Sequence, residues 1–311
     1  MITWNHEPYV AQAIDAILAQ QGNFDFELII GEDCSTDATR EICARYAERD
    51  SRVRLVTSER NVGIHANFRR IWNAAQGRYV AFCEGDDYWS DPHKLAKQIA
   101  FLEARPDFTL VGGYTRKIRQ AASGGWESVG RLGPGQVKER YSVADLIPNY
   151  SFHFSSVVVR RDRVSFPDWF AEQYCADRPL YLLCAEQGSV GFIPEEMSVY
   201  RLHPGGVWSP TSWMEKAQKG RVLFQTLDRH FAGRYARLIQ RTLGGILWSY
   251  MAEALAAGDR VAGRKLFWMA SWHFLRAGRF TLARHWGVAW VRLYLPGVYA
   301  HLKGIYQRVA A

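Results

Sequence analysis

The chain has 311 residues, with 39 Lys and Arg against 31 Asp and Glu for a formal net charge of +8. Hydrophobic residues at 48% and charged residues at 23% are ordinary globular composition, which excludes a disordered, collagen-like or disulfide-stapled chain. Five Cys without a C-x-x-C pair exclude a zinc ribbon or thioredoxin-type site and fit a reducing compartment.

Met1 runs straight into Ile2-Thr3-Trp4-Asn5-His6-Glu7, without the basic and apolar stretches of a secretory leader, and because only Met1 to Trp4 precede the first helix the first strand is expected to be very short or truncated. Val10, Ala13, Ile14, Ile17 and Leu18 recur at helical spacing. Phe26 to Ile30 reads as a buried strand. Ser35-Thr36-Asp37 then offers a cap for a helix carrying Ile42 and Tyr46. A strand is expected at Val53 to Thr57, a helix along Ile64, Phe68, Ile71, Trp72 and Ala75, and a strand at Tyr79 to Cys83. Asp91-Pro92 opens a helix with Leu95, Ile99 and Leu102, and Thr109 to Gly113 is a further strand. From Arg116 to Arg140 the pattern decays into a loop. Strands return at Ser155 to Val159 and Met197 to Leu202, with a helix at Pro179 to Ala185 between them. The alternation predicts an α/β fold, a mostly parallel sheet flanked by helices.

The remaining chain reads as helices only. Ala257-Gly258 and Ala277-Gly278, 20 residues apart, fit the ends of helical hairpins. No uncharged apolar run reaches the ~18 residues of a membrane span. The longest approach, Trp286 to Tyr299, is interrupted by Arg292 and Pro296. Charge divides the chain unequally. From Trp213 onward there are 16 Lys and Arg against 4 Asp and Glu, a net of +12, with half of the twelve Trp and none of the Cys. The first 212 residues carry −4. Together with the Pro204-Gly205-Gly206 to Pro210 stretch, this predicts a domain at 1–208 and a basic, Trp-rich helical region at 209–311.

Glu84-Gly85-Asp86-Asp87 packs three carboxylates into four residues directly after an apolar strand. Ligands of open α/β sheets bind beyond the carboxyl ends of strands. Like charges there need a cation, and oxygen donors suit Mg²⁺ or Mn²⁺. A solvated acidic turn is the plainer reading of the same residues. Glu32-Asp33 follows the second strand, and Asn5 and Glu7 follow the first, so polar groups from three strands converge on one edge. Asp33 equally suits a local turn or helix cap. G-x-G-x-x-G, G-x-x-x-x-G-K-[ST] and G-x-S-x-G motifs are absent, which excludes dinucleotide redox, P-loop and nucleophile-elbow chemistry.

The segments Thr3 to Glu7, Glu32 to Asp37, Glu84 to Trp89 and Met197 to His203, in this order, resemble the family 2 glycosyltransferases of bacterial type, which have the GT-A fold. The resemblance covers about residues 1 to 208. It implies a nucleotide-diphosphate sugar donor, with Asp33 at the base and Thr3, Asn5 and Glu7 lining the nucleotide pocket. Asn61, in the Asn61-Val62-Gly63 turn, would border it. Glu84 to Asp87 stands where the family has its Asp-x-Asp signature, with Glu replacing the first Asp. Asp86 or Asp87 would hold the divalent ion, and the other carboxylates, Glu84 among them, would contact ribose or sugar. Asp177 matches the position of the base that deprotonates the acceptor, although Arg178 stands where the family often has Trp; a helix cap is its structural alternative. Arg201 or His203 would reach the diphosphate, and His203 would also ligate the metal. His153 reads as a core or rim residue.

The implied enzyme is an inverting, metal-dependent transferase of cell-envelope or surface glycans, cytoplasmic, acting on a glycan or lipid-linked acceptor. The basic tail would lie on the anionic inner face of the cytoplasmic membrane or pack on the first domain; no nucleic-acid motif accompanies it. The competing readings are a nucleotidyltransferase-like nucleotide-sugar enzyme, disfavoured because Thr3 to Tyr9 lacks Gly, Lys and Arg, and a membrane-peripheral binding protein with a degenerate site.

Overall fold

The computed structural model describes residues 1–121, 124–148, 152–206, 211–278 and 283–295, and the side chains of all but 283–286 among these. Residues 207–210, in the stretch expected to separate the domains, lie outside the described residues, as do 296–299 at the end of the longest apolar run. The chain divides into two compact units, Met1–Ser209 and Pro210–Ala311.

The first unit opens with β1 (Ile2–Thr3), α1 (Val10–Leu18), β2 (Leu28–Glu32), α2 (Thr39–Arg49), β3 (Val53–Val56), α3 (Ile64–Ala74) and β4 (Tyr79–Ala81). It continues with β5 (Tyr88–Trp89), α4 (Lys94–Glu103), β6 (Phe108–Gln120), β7 (Trp126–Leu132), α5 (Val143–Leu146), β8 (Val158–Arg160), α6 (Asp177–Gln187) and β9 (Ser189–Leu202). The order β1-β2-β3 is parallel, with Ile2 beside Gly31 and Leu28 beside Val53. A parallel bridge from Ile2 to Glu84 joins it to a mixed sheet of order β4-β8-β6-β9-β5, with β7 on β6. The α/β expectation therefore holds. The crossover half is parallel, and in the mixed half β6–β9 is the parallel pair among antiparallel ones.

Helical spacing explains the flanking layers. α1 buries Val10, Ala13, Ile14 and Ile17 on one stripe, and each larger aliphatic side chain contributes roughly 1.5–3 kcal/mol by leaving water. α3 buries Phe68 and Trp72, which stack with Phe82 of the loop after β4. An apolar cavity of about 330 Å³ is lined by Met1, Phe26, Leu28, Trp72, Tyr79 and Ala81, among others.

The stretch from Arg116 to Arg140 corrects the sequence reading. Much of it is a β-hairpin, not a loop: β6 extends to Gln120 and pairs with β7 from Thr115–Leu132 to Gln120–Trp126. Charged residues on both faces hide its period-two pattern; Arg119 and Glu127 pair across the strands at 2.6 Å. The strand placed at Ser155 to Val159 is a 3₁₀ turn, Phe154–Ser156, followed by β8. β9 begins eight residues before the expected Met197 start.

The second unit is helical: α7 (Trp213–His230), α8 (Ala236–Ala256), α9 (Arg260–Arg276) and α10 (Ala283–Tyr294). Ser212 and Asp259 cap α7 and α9 by accepting from the Glu215 and Ala262 amides. Gly258 and Gly278, at φ 83° and 72°, end α8 and α9 in the left-handed conformation that favours glycine. Its core joins Ile239, Leu243, Leu247 and Met251 of α8 to Leu266, Phe267, Ala270 and Phe274 of α9. Among the described residues no helix is long and apolar enough to cross a membrane.

Candidate active site

β1 and β2 are parallel neighbours, and the parallel bridge from Ile2 to Glu84 sets the segment after β4 beside β1, so Thr3, Glu32 and the Glu84–Asp87 turn emerge on one edge. Backbone contacts fix the turn: the Gly85 amide donates to Ile2 O at 2.9 Å and the Asp87 amide to Glu84 O at 3.1 Å. Gly85 admits the close approach of β1. A Cβ there would stand 2.4 Å from Thr3 Oγ1 and 2.9 Å from His6 Nδ1.

Asp87 is buried and anchored from two distant elements. Its Oδ1 accepts from the Arg201 amide at 3.0 Å and its Oδ2 from Ser155 Oγ at 3.2 Å. Arg201, also buried, donates from Nη1 to Asp86 O at 2.6 Å and from Nη2 to Gln12 Oε1. Its guanidinium lies against Tyr88 (4.6 Å), Tyr9 (5.2 Å) and Trp126 (5.7 Å), a cation–π enclosure behind the acidic turn.

The structure divides the expected metal set, Asp86, Asp87 and His203, between two nests. In one, Asp86 Oδ2 lies 3.2 Å from His203 Nε2 and 3.5 Å from His6 Nε2. In the other, His153 Nε2 lies 3.6 Å from Asp87 Oδ2 and 3.9 Å from Glu84 Oε2, with the ring against Tyr200. Ligand atoms of Glu84, Asp87 and His153 all fall within 4.8 Å of one another, close enough to share one cation. Asp177, the first residue of α6, accepts from the Arg178 amide at 2.8 Å and is near enough to Glu84 for their charges to interact.

Charge makes the arrangement unfavourable without a cation. Burial raises the Glu84 carboxyl well above the ordinary carboxylate range, and the charges of Asp87, Asp86 and Asp177 raise it further. Burial and then Asp86 raise Asp87, and burial raises Asp177. At Asp86 burial acts the same way but is outweighed by His203 and His6, so this carboxyl stays below its usual range. Burial pushes His153 down to about 4 and also lowers His6, which favours the neutral, coordinating form of these imidazoles. Carboxylates and neutral imidazoles at these separations fit a Mn²⁺ or Mg²⁺ ion.

The residues expected around a nucleotide are placed on the same edge, with their polar atoms engaged in bracing loops. Asn5, at φ 54°, accepts from the Thr36 amide at 2.8 Å, and Glu7 Oε2 from the Ala38 amide at 3.0 Å, fastening β1 to the start of α2. Asp33 is buried and receives the Val62 and Gly63 amides, both at 2.9 Å, and Ser58 Oγ at 3.2 Å. Asn61 Oδ1 accepts from the Gly63 amide at 3.0 Å. Thr3 is buried with Oγ1 3.2 Å from His6 Nδ1. Tyr9, Gln12, Trp126 and Ser155 carry no site assignment in the sequence reading, His6 belongs there only to the Thr3 to Glu7 segment, and His153 reads as core or rim. Only the folded register brings these side chains together; Gln12 meets Arg201 across 189 residues.

Residues 1–158 match the family described as Glycosyl transferase family 2. An uncharacterized protein of Mycobacterium tuberculosis is 38% identical over 208 residues, 67% of this chain and 59% of that protein; the chain thus spans under two thirds of that relative's length. The putative teichuronic acid biosynthesis glycosyltransferase TuaG of Bacillus subtilis is 36% identical over 113 residues, 36% of this chain and 44% of TuaG. Among solved structures, the mannosyltransferase PcManGT from Pyrobaculum calidifontis, in complex with GDP-Man and Mn²⁺, superposes with a TM-score of 0.55 at 18% identity over 98% of this chain and 86% of that one. TarS 1-349 of S. aureus with UDP-GlcNAc gives 0.54 at 17% identity over 90% and 91%. At these identities the likeness establishes the fold, which is GT-A.

Proposed function

Because the chain belongs to Glycosyl transferase family 2, we propose that it moves a sugar from a nucleotide-diphosphate donor to a hydroxyl of a glycan or lipid-linked acceptor, with inversion at the anomeric carbon. The observation that carries this reading is the meeting of Glu84, Asp86, Asp87 and Asp177 with His6, His153 and His203 at the carboxyl edge of the sheet. The teichuronic acid assignment of TuaG supports a cell-envelope polysaccharide as the acceptor class.

Asp177 is the base. Its carboxylate takes the acceptor proton as the acceptor oxygen bonds to the anomeric carbon and the bond to the diphosphate breaks. A bound Mn²⁺ or Mg²⁺ ion supplies charge neutralisation for the departing diphosphate. Asp86 and His203 are its holders, and Asp87 keeps the turn in place from beneath. Arg201 acts as a positioning residue, because its guanidinium is directed to the Asp86 carbonyl and Gln12. Thr3, Asn5, Glu7, Asp33 and Asn61 shape the nucleotide pocket through the loops they fasten, and Glu84 faces the sugar. The net charge and the Trp content of the helical region support a peripheral seat on the inner face of the cytoplasmic membrane.

Thermal shift with UDP- and GDP-sugars, with and without Mn²⁺, tests the reading, since a ligand bound only by the folded state raises the melting temperature. Stabilisation by one nucleotide series that requires the metal is expected. No response to any nucleotide diphosphate would identify a degenerate site.

A further inference from the structure

Helices α9 and α10 leave an apolar surface open. Trp272, Trp268 and Trp290 are 60%, 58% and 42% exposed, and Val261, Leu275, Val288 and Leu295 are exposed with them. Val261, Trp268, Trp272 and Leu275 follow one another at intervals of seven, four and three, which keeps them on one face of α9. The three indoles line a groove of about 550 Å³ with Phe267 and Val291. The groove is a built feature. Trp268 Nε1 donates to Tyr294 OH at 2.9 Å, and Arg264 donates to Leu293 O at 3.2 Å while lying 4.9 Å from the Tyr294 ring.

The charge around this surface is predominantly basic. α9 carries Arg260, Arg264, Lys265 and Arg276 and α10 carries Arg292, against the Asp259 carboxylate that caps the start of α9. We infer that the Trp268–Trp272–Trp290 groove is the docking surface for an anionic phospholipid bilayer. Indoles lie at the interface between headgroups and acyl chains, and basic side chains reach the anionic headgroups. A second copy of this chain would bring the same predominantly basic charge against itself, which disfavours self-association as the occupant. The inference rests on the membrane-peripheral reading of the helical unit and assigns that contact to particular residues. It places the lipid-linked acceptor class in the same plane as the enzyme.

Co-sedimentation of the full chain with phosphatidylcholine vesicles containing phosphatidylglycerol, against phosphatidylcholine alone, is the test. The wild type is expected to bind the anionic vesicles at low salt and to lose binding as salt rises. The Trp268→Ser/Trp272→Ser variant is expected to bind at least about ten-fold more weakly, with its donor hydrolysis unchanged. Lys265→Glu/Arg276→Glu, which leaves the indoles in place, is expected to abolish the preference for anionic lipid. A wild type that binds neither vesicle overturns the membrane reading and the groove with it. A wild type that binds, with a Trp variant binding equally well, overturns the groove alone. Concentration-dependent dimers without lipid that the Trp substitutions dissociate would make a second copy the occupant.

Discussion

His203 Nε2 lies 3.2 Å from Asp86 Oδ2, although 117 residues separate the two in the chain. The contact joins the end of β9 to the acidic turn after β4, and His6 approaches the same oxygen from the β1 edge at 3.5 Å. The pair has the donor chemistry for a divalent ion, and so does the neighbouring nest of His153, Glu84 and Asp87.

Substitution distinguishes the two nests. His203→Ala is expected to weaken Mn²⁺ binding in the presence of a nucleoside diphosphate by more than the roughly 10- to 100-fold attributed to outer-shell partners. His153→Ala is expected to leave it within a few-fold. Titration calorimetry reads both. Loss of Mn²⁺ affinity in the His153 variant with none in the His203 variant would transfer the ion to the second nest.

Asp177→Asn removes the proton acceptor and keeps the shape. Transfer is expected to fall by about 10²- to 10⁴-fold while donor affinity holds. The pH profile carries independent information. Burial raises the Asp177 carboxyl, and a base works only when deprotonated, so kcat should climb with pH through a midpoint above the ordinary ~3.9 of Asp and then level off. A limb at or below that value, or an Asn variant with lost donor affinity and intact turnover, would remove Asp177 from the role.

Gly85→Ala tests whether the acidic turn needs its close contact with β1. The added methyl would meet Thr3 Oγ1 and His6 Nδ1, and relief requires either the turn or β1 to move. The expected cost is about 1–3 kcal/mol of stability together with weaker metal binding, because Asp86 and His6 shift relative to each other. Denaturant unfolding and Mn²⁺ titration measure the two effects. A variant of wild-type stability and affinity would show that the contact is soft.

The elements legible from sequence are those whose information is local. The stripe Val10, Ala13, Ile14, Ile17 marks α1 because each residue meets the same core from one helix face. The acidic turn is legible because three carboxylates after a strand are chemically conspicuous. The β6–β7 hairpin is obscured, since both of its faces carry charge, through Arg116, Lys117, Arg119, Glu127 and Arg131, and its alternation is interrupted by a bulge between Lys117 and Ile118. The role of Arg201 is likewise invisible locally: beside His203 it reads as a diphosphate contact, and only the register of β9 directs it to Asp86 O and Gln12. Asp33 follows neither a local turn nor a helix cap: its carboxylate gathers the Val62 and Gly63 amides, 29 and 30 residues along the chain, while standing at the expected edge.

Lys94 gives a prediction about stability that is independent of the chemistry. It is fully buried on α4, with Nζ donating to Gln98 Oε1 at 2.8 Å and lying 4.3 Å from the Trp89 ring centre. Burial lowers its pKa from 10.5 to about 7. Below pH 7 folded and unfolded chains are both protonated, and the folded state bears the whole cost of the buried charge. Between pH 7 and 10.5 the folded state releases its proton first, so stability rises with pH, by up to about 1.4 kcal/mol per unit. Above that range neither state is charged and the cost is gone. Lys94→Met keeps the length of the side chain and removes the charge. Gln98 Oε1 loses its partner, at about 1 kcal/mol, whereas Gln98 Nε2 keeps Val111 O and Ser156 O. Against that loss stands the roughly 1–4 kcal/mol by which apolar replacement of buried ions has stabilised other proteins. The variant should therefore melt at or above the wild-type temperature at pH 7, and its stability should be flatter between pH 7 and 9. Equal pH slopes for wild type and variant would mean that Lys94 is solvated in the folded protein.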